Sequence, residues 1–526
     1  MTAIFGDEGE TSQSVVGNAV SIGSAENADH EHAFSDQVPK DLHPEDTGTR
    51  FTGILGFSSA LDWQGWRATT SIRSMLGKAA AHADLHRGFF ALCDQGVVSI
   101  TNFATAVIIG RVCGKAELGV YTLAWTLITL ATEISGVLIT APYIVFGPQL
   151  GWSRRRWYLG SILAHQLLLS MMFALTMAAG AVLGSWRGWL PDRVSTVVTT
   201  TAVVIVFISL REFVRRVSFA ELKIGRALLV DITACIAQAV GVLLLLHFGA
   251  LTASRTYTLV GISSAVAAGG WLAVHRGAFR SDTRIYARDL KRNWRFAKWL
   301  LASCILSVLA RYLYPWLLAA FHGTSATGTW AACLAIVALG NPVLLGLGNY
   351  VGPKISNVYA ISGVGAMQRC VYRSSLLLTV LLFPVVLVLA GFGGRIVTGV
   401  YGNAYAGGAG VVLLLALNML IGALTYPYCC GLFSLECSKA DLLINLVAVT
   451  LLFTLGIAAV KSYAALGAAA ALFVSSSVTA AIRIGVLARE VRRRSPNARC
   501  SAHPSKGNTD SQNQSETARA PQAQGG

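Results

Sequence analysis

Charge is what this chain has least of. Only 13% of its 526 residues are Asp, Glu, Lys or Arg, against 54% hydrophobic, and the mean hydropathy is positive. A soluble multidomain enzyme carries more charge, so this balance points to a polytopic membrane protein. Acidic residues are scarcer than basic ones, 26 against 42, which leaves a net charge of +16. That excess would suit nucleic acid, but the basic residues fall in short clusters between apolar runs, as membrane topology requires, and no nucleic-acid partner is expected. Signatures of soluble chemistry are also missing. No G-x-x-x-x-G-K-[ST] is present to cradle a nucleotide, so ATP is not expected as a direct energy source. No H-E-x-x-H or G-x-S-x-G occurs, and no segment between apolar runs is long enough for a catalytic domain. The expectation is a protein that is not an enzyme, with no cofactor and no metal. The ten cysteines contain no C-x-x-C pair and no histidine at metal spacing; most, among them Cys93, Cys113, Cys235 and Cys333, sit inside apolar runs as small core residues.

The termini lack apolar runs. Residues 1–50 are rich in Ser, Asp, Glu, Gly, Asn and His and are expected to form a disordered cytoplasmic tail. Met1 is soon followed by the acidic GDEGE and not by a basic region with an apolar core, so no cleavable signal peptide is expected. Residues 51–88 mix Phe51, Leu55, Phe57, Trp63 and Trp66 with Arg67, Arg73 and Lys78, the composition of an amphipathic segment lying on headgroups or of an apolar linker. Residues 491–526 begin with arginines and decay into a second polar tail that is expected to be disordered.

Between the tails lie about twelve apolar runs, near 89–110, 118–147, 157–184, 194–212, 227–248, 256–275, 299–321, 326–351, 374–396, 408–435, 441–460 and 464–487. The even-numbered connections hold most of the arginine and lysine. Arg154, Arg155 and Arg156 follow the second run, Arg215, Arg216, Lys223 and Arg226 the fourth, and a basic link from Arg276 to Lys298 the sixth. Basic residues mark the cytoplasmic side, so both termini are expected in the cytoplasm, with the protein multi-pass in the inner or plasma membrane.

The first hairpin, Asp94 to Pro148, recurs in the second half. Gly114, Gly119 and Tyr121 in GKAELGVY match Gly323, Gly328 and Trp330 in GTSATGTW, each pair displaced by 209 positions. Phe146-Gly147-Pro148 is answered by Val351-Gly352-Pro353. The repeat predicts an all-α integral membrane fold of about twelve helices in two six-helix bundles, 89–297 with its basic link and 298–490, related by a pseudo-two-fold axis along the membrane normal. Sites in such proteins lie between the halves near the midplane.

DQGVVSITNFATAVIIGRVCGKAELGVY, LREFVRRVSFAELKIGRALLVD and GGRIVTGVYGNAYAGGAGVVLLLAL, together with the two hairpins, resemble the polysaccharide or O-antigen flippases of the multidrug/oligosaccharidyl-lipid/polysaccharide exporter superfamily. The resemblance implies a two-lobed, twelve-helix fold. It also implies an oligosaccharide on a polyprenyl diphosphate as substrate, membrane lipid as surroundings, and other polysaccharide-assembly proteins as partners. The alternatives are a drug or cation exporter on the same fold and, further off, a membrane-embedded polymerase or ligase.

Five polar residues are the candidates for the central cavity. Arg311 lies about halfway along WLLASCILSVLARYLYPWLLAAF and is expected to be a buried cation whose planar fork suits a diphosphate; the repeat equates it with Asn102. Asn341, beside Pro342, marks a kink whose freed carbonyls are a third way to meet substrate. Glu133, near the middle of the second run, and Asp94, at the start of the first, are the coupling or gating candidates, with a structural ion pair and an exposed helix cap as their plain alternatives. Asp231 and Arg483, nearer helix ends, are expected to snorkel to the surface.

Overall fold

The computed structural model describes residues 93–494, apart from 222 and 280–282. The expectations for residues 1–50 and 51–88 and for the tail beyond 494 lie outside these residues. The described chain is helical, as it must be where no water can satisfy the backbone. Ten continuous helical stretches are long and apolar enough to cross a membrane. Three of them contain a point where the backbone leaves the helix, at Gly323, at Gly363 and at Tyr463–Ala464. Because the stretch ending at Gly340 runs on without a break through Asn341 into the one that holds Gly363, division at these points gives twelve spans among the described residues: α1 Cys93–Val112, α2 Lys115–Gln149, α3 Trp152–Trp186, α4 Asp192–Ala220, α5 Ile224–His247, α6 Ala253–Val274, α7 283–322, α8 324–362, α9 364–401, α10 Ala409–Ser434, α11 438–462 and α12 465–494. The first six form one lobe and the last six the other.

The repeated glycines show how the lobes meet. Gly114 and Gly323 open α2 and α8 at φ 85° and 78°, a region that favours glycine. Five residues on, α2 and α8 cross. A Cβ on Gly119 would lie 2.8 Å from the carbonyl carbon of Thr324, and one on Gly328 2.7 Å from that of Lys115, so each backbone occupies the space a side chain would need on the other. The matched aromatics complete the symmetry. Tyr121 stacks on Tyr257 at 4.8 Å and Trp330 on Tyr314 at 6.1 Å, each buried within its own lobe. Beside the crossing, Tyr405 donates a hydrogen bond to the Gly110 carbonyl of the other lobe at 3.0 Å. One apolar core runs through both lobes at this end. Toward the opposite, arginine-rich end the core divides into one cluster for each lobe. The lobes are therefore joined at one end and have separate cores at the other.

Three boundaries differ from the sequence reading. Helix α4 runs to Ala220, so Arg215 and Arg216 lie within the helix and not in the connection after it. The basic link is helical from residue 283 and continuous with the start of α7. It packs on the first lobe: Tyr158 donates to Asn293 at 2.8 Å, and Arg292 lies over the Phe146 ring. Finally, Gly147-Pro148 ends its helix in a 3-10 turn, whereas Gly352-Pro353 stays helical until Gly363. A proline removes one backbone donor, and this loss alone did not end α8.

Candidate functional site

The first lobe holds a cluster of six charged groups drawn from α1, α4 and α5. Arg211, Glu212, Arg215 and Arg216 follow helical spacing, so one face of α4 presents three guanidinium groups and a carboxylate. Arg215 lies at the centre. Its Nε is 2.7 Å from Asp231 of α5, one Nη is 3.3 Å from Asp94 of α1, and the other is 3.2 Å from Glu212. It also donates to Gln95 at 3.4 Å. Arg211 approaches Asp231 at 3.9 Å, and Arg216 holds Glu212 at 2.7 Å. The formal charges cancel, which burial of such a group demands.

Asp94 and Asp231 are both fully buried, at 0% exposure. Asp94 is thus an interior group and not an exposed cap. Asp231 does not snorkel, because Arg215 offers its charge a partner inside the lobe. One oxygen of Asp94 and both oxygens of Asp231 lack an aligned hydrogen bond, so these carboxylates are held mainly by charge. They lie close enough to interact with each other.

Arg216 carries the cluster toward α2. Its guanidinium occupies the space a Cβ on Gly136 would fill. Gly136 opens a π-helical turn, Gly136–Thr140, just before Pro142, whose missing N–H interrupts the ordinary ladder. Glu133 lies one turn earlier on α2, half-buried, and its side chain makes no hydrogen bond or ion pair among the described residues.

Across from α2 stands α7. Trp316 of α7 donates to Thr126 of α2 at 2.7 Å, which sets the two helices in register. Moving from there toward the arginine-rich end, Glu133 is displaced by about 10 Å and Arg311 by about 8 Å, so the two are at nearly the same depth. Cys304 is within electrostatic reach of Glu133, Arg311 and Arg216, and Tyr312 of Glu133 and Arg311. The two charges share a neighbourhood but form no ion pair.

Arg311 is not the buried cation expected from the sequence. It is exposed, donates to the Ser307 carbonyl at 3.3 Å and lies beside the Tyr312 ring. The buried cations are those of α4. Their signal is the alternation of arginine and glutamate at helical spacing, which the sequence reading divides, with Arg211 and Glu212 at the end of the fourth run and Arg215 and Arg216 in the connection after it. Asn102 is half-buried and Asn341 exposed, and neither side chain makes a hydrogen bond among the described residues. Asn341 follows the 3-10 turn Ala338–Gly340, so the expected irregularity in α8 is present. The geometry draws Glu133 and Arg311 together and places Asp94 in the buried cluster.

The second lobe repeats the cluster in reduced form. Ser303 of α7 lies 209 positions after Asp94, as the repeat sets, and Asp441 of α11 lies 210 after Asp231, one residue off it. Ser303 donates to Asp441 at 2.7 Å, Asn445 donates to both, and Arg483 of α12 pairs with Asp441 at 3.1 Å. Arg483 is therefore also held inside and does not snorkel.

No protein-family profile and no curated protein matches this sequence. Among solved structures, the chain is similar to the inward-facing conformation of a multidrug resistance MATE family transporter of the MOP superfamily, with TM-score 0.63 and 13% identity over 77% of this chain and 96% of that one. It is similar to a MOP superfamily transporter from Pyrococcus furiosus Vc1 whose binding pocket has reversed polarity, at TM-score 0.58 and 14% identity over 78% and 95%. It is also similar to the lipid II flippase MurJ in an inward closed conformation, at TM-score 0.57 and 13% identity over 76% and 87%. At such identities the likeness is one of fold. The chain has the twelve-helix, two-lobed fold of the MOP-superfamily transporters.

Proposed function

We propose that this protein is a flippase that moves an oligosaccharide linked to polyprenyl diphosphate from the cytoplasmic to the outer leaflet of the inner or plasma membrane, for O-antigen, exopolysaccharide or capsule assembly. The observation that carries the reading is Arg311, an exposed guanidinium without a carboxylate partner among the described residues, on α7 across from α2. An unpaired arginine at such depth is costly unless it faces water or an anion, and its fork matches paired phosphate oxygens. The arginine-rich end is the cytoplasmic one by the distribution of basic residues, so the end with divided cores opens toward the leaflet where the substrate is made. With the interior negative, outward movement of a diphosphate is downhill by roughly 2.3 kcal/mol per charge per 100 mV. Glu133, close to Arg311, competes for the guanidinium, and its protonation couples a proton to substrate release or to the reset of the carrier.

The test is export of lipid-linked oligosaccharide in cells that lack the native protein. Arg311→Ala should abolish export while the protein remains in the membrane, and Arg311→Lys should restore it poorly, because a lysine loses the fork. Glu133→Gln should export but with a flattened pH dependence. Normal export by Arg311→Ala would remove the phosphate-binding role. A second reading, a drug or cation exporter, is favoured by the unpaired carboxylate of Glu133 and by the similarity to a multidrug MATE transporter. It predicts instead that a cationic dye is extruded, that Glu133→Gln stops extrusion, and that Arg311→Ala does not.

A further inference from the structure

The second lobe carries a cavity of about 470 Å³ at its arginine-rich end. It lies where the start of α9 and the end of α12 both lean on α10. Arg369 and Arg373 of α9 flank it with Tyr372, Tyr428 comes from α10, and Val371 with Leu487 of α12 supplies an apolar wall. The two arginines are one helical turn apart and so point to the same side. Both are exposed, and neither makes an ion pair or a side-chain hydrogen bond among the described residues. The hydroxyls of Tyr372 and Tyr428 are likewise unengaged. No carboxylate lines the cavity. Two guanidinium groups, two phenol hydroxyls and the amide of Gln368 thus line the cavity with no anion to balance the cations, which is the chemistry of a phosphate site.

The same face of α9 continues away from the arginines as an apolar rail. Leu376, Leu377, Val380, Leu381 and Phe383 are each about half exposed, at 49–60%. Residues of this kind at successive turns of a spanning helix face lipid, so the cavity opens to the bilayer with its cations at headgroup level and its rail along the acyl region. We infer that this cavity is a docking site for an anionic phospholipid of the phosphatidylglycerol class, the phosphate between Arg369 and Arg373 and one acyl chain along the rail of α9. Its position on the outer face of the lobe gives access to lipid of the surrounding leaflet, and the inference does not depend on the flippase reading. Charge complementarity selects the headgroup, since a zwitterionic lipid brings its own cation to a site that already has two.

The full chain, reconstituted in nanodiscs of phosphatidylcholine doped with phosphatidylglycerol and then transferred to detergent, should retain one phosphatidylglycerol in native mass spectrometry. Arg369→Gln with Arg373→Gln should weaken retention about tenfold, as loss of two charge-assisted contacts implies. Both residues are exposed, so the variant should remain folded, and Arg369→Lys with Arg373→Lys should recover part of the binding. Arg395→Gln with Lys461→Gln, which removes two cations at the other end of the lobe, should change nothing. Retention unaffected by the double Gln variant, or equal retention of phosphatidylcholine, would overturn the site. Preference for farnesyl diphosphate over phosphatidylglycerol at equal concentration would overturn its assignment to leaflet phospholipid and mark it as a port for polyprenyl diphosphates.

Discussion

The glycine crossing of α2 and α8 allows a perturbation to be worked through from geometry. In Gly119→Ala the new methyl would lie 2.8 Å from the Thr324 carbonyl carbon and 3.0 Å from the Gly328 nitrogen. Carbon atoms in ordinary contact are about 3.5–4.0 Å apart, so the helices must separate by about 1 Å or tilt. The obstacle is backbone on a second helix, and no rotamer change can relieve it. Overpacking of this kind costs about 1–3 kcal/mol, borne by the conformation in which the crossing is closed. A conformation in which the lobes part at this end does not bear it. The closed state should therefore lose roughly five- to one-hundred-and-fifty-fold in population relative to the alternative. Gly328→Ala meets Lys115 in the same way and should act alike. Spin labels or fluorophores placed on the α1–α2 and α7–α8 connections would report the distance between the lobes. Both variants should show a longer mean distance, whereas Gly114→Ala, which strains φ without filling the crossing, should not. An unchanged distance in Gly119→Ala and Gly328→Ala would mean that the crossing is not the contact that holds this end shut.

Two further predictions concern the charges. Arg215→Gln leaves Asp94 and Asp231 fully buried beside a neutral side chain, a situation that destabilises by about 3–5 kcal/mol, and adding Asp231→Asn should recover much of the loss; thermal unfolding in detergent, followed by tryptophan fluorescence, would measure both. Equal instability of the single and double variants would show that Arg215 does not serve to neutralise Asp231. At the arginine-rich end, burial alone would raise the Glu221 carboxyl, but hydrogen bonds from Lys223 and Tyr143 and the charges of Lys223 and Arg155 outweigh it and hold the group below the usual carboxylate range. A depressed folded value adds stability above the unfolded value of about 4.3 that is lost as pH falls through the folded one. The native protein should thus lose a few degrees of thermal stability between neutral pH and acid that Glu221→Gln lacks already at neutral pH, and parallel acid profiles would refute the linkage.

The architecture was readable from the chain because its determinants are local. Span lengths follow from apolar runs, and the 209-residue repeat paired Gly114 with Gly323, Gly119 with Gly328 and Tyr121 with Trp330; that the second pair is a crossing and the third a pair of buried stacks only the structure shows. Glu133 and Arg311 were readable as charges at similar depth in equivalent hairpins. What was not readable depended on partners far away in sequence. The arginines of α4 look like a cytoplasmic connection until Asp94, 121 residues earlier, and Asp231 are brought against them. Asp231 and Arg483 look free to reach the surface until a partner on another helix holds them. The exposure of Arg311 was hidden for a related reason, because hydropathy gives depth along a helix and says nothing of which side meets an open cleft.

The two lobes solve the same electrostatic problem with different parts, and the difference isolates the charges that remain. In the first lobe the acid on α5 and the acid on α1 share the arginines of the neighbouring α4; in the second, serine replaces the acid on α7 and a single arginine from α12 answers Asp441. Each lobe therefore neutralises its own carboxylates at the position the repeat sets. The position of Asn102 and Arg311 breaks that rule, since the first lobe places a neutral amide where the second places a guanidinium. Among the described residues Arg311 has no carboxylate within ion-pairing distance, and Glu133 at nearly its depth has no cation. Two opposite charges left unpaired in one neighbourhood are costly in a membrane unless something else answers them, as an anion bound at Arg311 would on the reading proposed above. Because Arg216 touches Gly136 on the same stretch of α2, a change of charge at Glu133 acts within one turn of the chain that leads through Glu212 and Arg215 to the buried acids. If Arg311 meets the substrate as proposed above, the run from Arg216 through Glu212 to Arg215 connects the neighbourhood of that site to the buried acids of the first lobe.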